Sequence, residues 1–319
     1  MLSHAFPFDP TYGYDLAALQ RVGPAPEPAD FARFWRDTQA EATAVPLALE
    51  IKPSTRTLKN FDVFDVSFAS LGGVRIHAWL TKPKSGPITR GLVISHGYGG
   101  REGPDPWLPV AGAAAIFPCA RGLSLSRMAG VPDTADGHVL VGIDSRETYI
   151  HRGCTADVWA AASALIEAVP ACAAQLDYIG GSFGGGIGAL ALPWDNRFRR
   201  AFLSVPSFGQ HPLRLQMPCI GSGESVRRHA RAHPEVTEVL AYFDASVAAT
   251  HLHIPTLVVP ACFDPAVPPP GQFAVANAVA GPKSVHVRDT GHFDHPGLSR
   301  ENLAERDALM AFLQNPADS

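Results

Sequence analysis

Gly180-Gly181-Ser182-Phe183-Gly184 sets a serine among small residues, where the strand-like run LDYIGG meets the helix-like run GGIGALAL. This G-x-S-x-G spacing suits a nucleophile. The hydroxyl must stand on a sharp strand-to-helix turn, and only small neighbours let helix and strand come close enough. The helix N-terminus behind it favours the negative charge that develops during acyl transfer. A serine needs a base, and the base needs an orienting carboxylate. Downstream, Asp264 follows the apolar run IPTLVVPA in Cys262-Phe263-Asp264-Pro265, and His292 follows KSVHVR in Thr290-Gly291-His292-Phe293. Both lie just past strand-like segments, where loops converge on a nucleophile. The spacing predicts a Ser182–His292–Asp264 relay.

Other residues compete for these roles. His295 is the nearest alternative base, and Asp294 and Asp289 are alternative carboxylates. An oxyanion hole needs two backbone N–H groups. Phe183 supplies one because it follows the nucleophile, and Tyr98, in His96-Gly97-Tyr98-Gly99-Gly100, is the candidate for the other. Gly184-x-Gly186-x-x-Ala189 also fits a dinucleotide fingerprint, which would make the chain an NAD-binding oxidoreductase. That fingerprint should follow its strand directly and be answered by an acidic residue ending a second strand; AFLSVPSF offers serine and proline instead. His229 and His233 have i, i+4 spacing without the glutamate of H-E-x-x-H, and three arginines flank them, so they read as a solvated helix face. His251 and His253 read as structural. No metal and no cofactor are expected. A non-catalytic binding protein is a further rival, but it would have no use for all three of Ser182, Asp264 and His292.

These residues must be positioned by strands alternating with helices. The first thirty residues are Pro-rich and irregular, after which Asp30 is placed to cap a helix, FARFWRDTQAEA. Phe61 to Phe68 and Val74 to Lys82, around Gly72-Gly73, read as an antiparallel hairpin. GLVIS, AAAIFP, LDYIGG, AFLSVP, IPTLVVPA and KSVHVR read as buried strands, alternating with helices from Gly153 to Val169, GGIGALAL, GQFAVANAVA and about Arg300 to Leu313. The pattern predicts an α/β fold with a mostly parallel central sheet, helices on its faces and an antiparallel lead-in. Two regions interrupt it, near 122–152 and 210–244, and read as insertions that cover a site or make an interface.

Composition sets the outer bounds. With 319 residues and 46% hydrophobic positions the chain can bury a large core without disulfides or metal. The 29 glycines and 29 prolines are too many for a helical bundle, and 18% charged residues are too few for disorder. A formal net charge of −4 implies no basic face for nucleic acid. No uninterrupted apolar stretch has membrane-spanning length, and MLSHAFPFDP lacks the features of a secretory signal. Five scattered cysteines without a C-x-x-C read as reduced thiols of a cytoplasmic protein. Because Ser182, Asp264 and His292 cross the midpoint, residues 1–319 are expected to form a single domain with an N-terminal extension over about 1–60.

Over nearly its whole length the chain resembles the acetyl xylan esterase and cephalosporin C deacetylase group, carbohydrate esterase family 7, of the α/β-hydrolase superfamily. The resemblance rests on FARFW, HGYGG, Arg121-Gly122, GGSFGGGIGALAL, Tyr242-Phe243-Asp244, FDPAVPPPGQFAVANAVAGPK and GHF. It implies a metal-free serine esterase that removes acetyl groups from small acetylated sugars, with Ser182, Asp264 and His292 as triad and Tyr98 and Phe183 as oxyanion donors. It also implies a homo-oligomer, a hexamer in many members. Esters of non-sugar alcohols are the alternative substrates. The chain departs from the family pattern at Leu123, Phe183 and Phe293, where glutamine, glutamine and glutamate are usual, which marks a divergent branch.

Overall fold

The computed structural model describes residues 3–314. Short runs of branched and aromatic residues between glycine and proline build its sheet. An antiparallel lead-in comprises β1 (Glu50–Pro53), β2 (Phe61–Ser70) and β3 (Val74–Pro83). The β2–β3 connection turns tightly because Gly72 and Gly73 both take positive φ, 74° and 72°. Next come β4 (Arg90–Ile94), β5 (Ala113–Pro118), β6 (Leu176–Gly181), β7 (Phe198–Ser204), β8 (Thr256–Val259) and β10 (Lys283–Val285), all parallel to one another. They complete a nine-stranded sheet in the order β1-β2-β3-β5-β4-β6-β7-β8-β10. All six residues of β5 are buried, as a parallel strand covered on both faces requires.

The helices, in chain order, are α1 (Leu16–Leu19), α2 (Phe31–Thr43), α3 (Ala135–His138), α4 (Ile150–Ala168), α5 (Phe183–Ala191), α6 (His211–Arg214), α7 (Ser222–Ala232), α8 (Val236–Leu240), α9 (Ala245–Ala249), α10 (Pro269–Ala278) and α11 (Leu298–Gln314). Alternation along the strands sorts the core into two layers. Val93 faces the large cluster under α2, α4, α5 and α9, while Leu92 and Ile94 face the opposite side. On that side, further along the sheet, Leu309 and Leu313 of α11 cover Phe202, Leu257 and Val259. Every residue of α5 is buried, so this helix is apolar all round. Its Gly188 lies so close to the Tyr178 ring that an added Cβ would stand 2.2 Å from it.

The structure differs from the sequence reading in particular places. KSVHVR is not one strand. It splits into β10 and β11 (Arg288–Thr290), just as β8 is followed across Pro260 by a separate β9 (Ala261–Phe263). β9 and β11 pair in parallel as a second, two-stranded sheet. Asp30 stands at the N-cap of α2, but its side chain makes no cap bond. It is drawn away to Arg146 at 3.1 Å, to Arg33 at 3.4 Å and to the Tyr242 hydroxyl. The strand β1 and several short helices had no local signal. The two predicted insertions meet, α3 packing on α7.

Just after β5, the Arg121 guanidinium makes a bidentate pair with Asp157 of α4, with Nη2 to Oδ1 at 2.7 Å and Nε to Oδ2 at 3.1 Å. Asp157 also accepts the Arg121 backbone N–H at 3.0 Å, and Nη2 donates to Ser70 at 3.1 Å. Both partners are almost fully buried. All five cysteines are free; Cys119, Cys154, Cys172 and Cys219 are buried and Cys262 half-buried. Burial pushes every one of these thiols above its ordinary pKa, Cys172 to about 11. Among the described residues, no helix is long and apolar enough to cross a membrane.

Candidate active site

β6 delivers the chain to Ser182 and α5 leaves from it. Ser182 takes φ 54° and ψ −118°, a conformation an L-residue holds only when its surroundings impose it. Three hydrogen bonds do so. Ser182 N–H donates to Ser204 O at 2.8 Å, while Ser182 O accepts from Ser207 at 3.1 Å and from Gly186 at 3.0 Å. The glycines serve close packing. A Cβ at Gly184 would lie 2.9 Å from His96 O, and one at Gly186 2.4 Å from Ser207 O. Gly184, Gly186 and Ala189, the would-be dinucleotide fingerprint, all lie inside α5, past the turn.

His292 and Asp264 are brought to this serine by β11 and β9. His292 Nε2 lies 2.8 Å from Ser182 Oγ, and its Nδ1 lies 2.7 Å from Asp264 Oδ2. With Nδ1–H donating to the carboxylate, Nε2 is left free to accept the serine proton. His292 itself has positive φ, 46°. The preceding Gly291 has no alternative, since a Cβ there would stand 2.3 Å from Asp264 Oδ2. Asp264 is fully buried. Its Oδ1 accepts the N–H groups of Ala266 and Val267, both at 2.9 Å, and its Oδ2 also accepts from Gln272 Nε2 at 2.9 Å. Gln272 is fully buried and accepts Ala261 N–H at 2.8 Å, so it ties the acid to β9. Burial of His292 disfavours its charged form, but the Asp264 carboxylate and its hydrogen bond outweigh this and raise the imidazole pKa.

Tyr98 and Phe183 flank the serine. Gly97 lies beside the serine, where a Cβ would stand 3.8 Å from Ser182 Cβ, an ordinary contact. The Phe183 N–H opens α5 and has no partner within that helix. Side chains lock the loop before it. The Tyr98 hydroxyl lies 2.8 Å from His151 Nε2 and 3.4 Å from His138 Nδ1, and its ring sits 4.3 Å from that of Phe183. His138 Nε2 donates to Arg121 O at 2.8 Å, and His96 Nε2 accepts Ala120 N–H at 3.0 Å. Phe183 therefore fills an aromatic box of Tyr98, His96, His151 and Phe208.

Gln272, His138 and His151 were absent from the sequence reading. Only Gln272 left a trace, as a polar residue in a mostly apolar helix next to the Asp264 loop. The competing residues lie elsewhere. His295 is 3.0 Å from Glu301, and Asp289 and Asp294 are exposed. His229 stacks on His233 at 4.6 Å, and His251 pairs with Glu27 at 3.0 Å.

Residues 15–315 match the family model described as acetyl xylan esterase (AXE1). Among solved structures, the chain is similar to an acetyl xylan esterase from Paenibacillus sp. R4, with 25% identity, a TM-score of 0.80, and coverage of 92% of this chain and 99% of that one. An acetyl xylan esterase from a Thermoanaerobacterium species gives 22% identity and a TM-score of 0.81, covering 96% of this chain and 99% of that one. The acylaminoacyl peptidase of Pyrococcus horikoshii shares the fold alone, at 14% identity and a TM-score of 0.61, over 82% of this chain and 43% of that one. The mostly parallel sheet with flanking helices is the α/β-hydrolase fold.

Proposed function

The chain belongs to the acetyl xylan esterase family, and from that footing we propose that it is a serine carboxylesterase removing short acyl groups, acetyl foremost, from small acetylated sugars or oligosaccharides. The observation that carries the mechanism is the relay of 2.8 and 2.7 Å from Ser182 through His292 to Asp264. Ser182 Oγ attacks the acyl carbonyl carbon while its proton passes to His292 Nε2, and Asp264 holds the imidazole and stabilises its charge. The developing oxyanion faces the Tyr98 and Phe183 N–H groups, one such donor being worth about 2.7–4 kcal/mol. Collapse expels the alcohol, which takes the proton from His292. A water activated by the same imidazole then cleaves the acyl-enzyme and frees the acid.

Family resemblance supports acetyl as the acyl group and cephalosporin C among the substrates. It also supports self-association, six copies being the family's common form. The acidic net charge and reduced cysteines suit a cytoplasmic enzyme of small esters, with neither nucleic acid nor membrane as partner.

A serine-directed fluorophosphonate, together with p-nitrophenyl esters of increasing chain length, acetylated xylose and cephalosporin C, tests this reading. The native protein is expected to label, Ser182→Ala not to label, and acetate to be the preferred acyl group. Label persisting in Ser182→Ala would overturn the assignment of the nucleophile. A preference for butyrate or longer would overturn the deacetylase reading and leave the hydrolase standing.

A further inference from the structure

Residues 4–14 run as an irregular strap across the outside of the two loops that carry the acid and the base. Their contacts form a continuous aromatic file. Tyr12 stacks on Phe8 at 5.9 Å, Phe8 on Phe6 at 5.7 Å, and Phe6 meets Phe293 edge-on at 6.0 Å. Phe293 in turn packs on Phe263 at 5.0 Å, and His4 covers Phe263 from the strap side at 5.4 Å. Phe293 directly follows His292, and Phe263 directly precedes Asp264. The strap also reaches the acid through the backbone, Pro10 O accepting the Asp264 N–H at 3.1 Å. Tyr12 anchors its far end by donating to Pro218 O at 2.8 Å.

These contacts matter because the other ties on the loops stop short of the His292 side chain: Gln272 holds Asp264, and Glu301 of α11 holds Arg288 and the Thr290 N–H. β9 and β11 have three residues each and pair only with one another, outside the nine-stranded sheet. His292 must be kept at φ 46°, which costs conformational energy unless its neighbours enforce it. Aromatic pairs at these separations are attractive beyond the area they bury.

We infer that Phe6 is a positioning residue: by clamping Phe293 it holds the His292 imidazole in register with Ser182 and Asp264. This rests on the reading of Ser182, His292 and Asp264 as the catalytic relay. Phe6 acts through Phe293; its other ring neighbours, His4 and Phe8, belong to the strap.

The test compares wild type with Phe6→Ala, Phe6→Tyr and Phe293→Leu, using p-nitrophenyl acetate across a pH series, with far-UV circular dichroism as the check on folding. Misplacing a catalytic group lowers the chemical step far more than binding. Phe6→Ala and Phe293→Leu are expected to lower kcat by about tenfold or more with KM nearly constant. As the imidazole loosens from Asp264, the acid limb of kcat/KM moves to lower pH. Phe6→Tyr restores both. Wild-type kcat and an unmoved limb in folded Phe6→Ala would overturn the inference, as would a loss that Phe6→Tyr does not restore. If Phe6→Ala does not fold, the Phe293→Leu profile decides by the same two criteria. Wild-type turnover abolished by Ser182→Ala shows separately that the relay reading stands.

Discussion

In the proposed reaction His292 must be neutral to take the Ser182 proton, so its titration is expected to set the lower pH edge. Its pKa lies above the ordinary 6.5 because the Asp264 charge and hydrogen bond outweigh the effect of burial. Activity is therefore lost as pH falls through a value above 6.5, and Asp264→Asn shifts that limb downward. A kcat/KM profile against pH checks this; a wild-type limb at or below 6.5 would contradict it. At this scale much was legible. Ser182 was given away by its small neighbours, and Asp264 and His292 by their places after apolar runs. Gln272, His138 and His151 were not, because each acts through a contact with residues far along the chain or on another element, and no spacing records that. The Phe183 side chain, where the family usually has glutamine, turns out to close an aromatic box while its N–H stays at the serine.

Elements hold these residues in place through a few heavily used joints. The Arg121–Asp157 pair joins the loop after β5 to α4, and it is sealed from water. Removing one member of such a pair leaves the other buried and unpaired, which typically costs about 3–5 kcal/mol, whereas replacing both by apolar residues can be neutral. Urea unfolding should therefore show Arg121→Met losing stability in that range and Arg121→Met with Asp157→Leu recovering most of it. Equal stabilities for the two variants would contradict the assignment. Alternating apolar runs made the central parallel strands readable, whereas the division of KSVHVR was hidden. β8 and β9 part at Pro260, and β11 follows β9 away from the main sheet, so pairing with a distant strand decides where the run breaks. Asp30 was legible as a cap position only. Arg146, more than a hundred residues away, competes for its carboxylate.

Across the molecule, four histidines are buried in the body that surrounds the site. Burial lowers the pKa of His96 and His211 to about 4, and lowers those of His138 and His151 as well. In the unfolded chain each would take up a proton near 6.5. Between 6.5 and about 4 the unfolded state binds more protons, so stability is full above 6.5 and drains as pH falls through that window. His292 runs the other way, adding stability below 6.5 that is lost as pH rises through its folded pKa, but it is one group against four. The urea midpoint is expected to fall steeply from pH 6.5 to 4; a flat profile would show that these imidazoles are not held neutral. Burial has a practical side as well. Five thiols, all free and all pushed towards the protonated form, make the native fold sluggish toward alkylating and maleimide reagents. A single cysteine placed on the surface would then be the one fast-reacting handle, so the wild-type chain is already a background for attaching a dye, a spin label or a solid support at a chosen point.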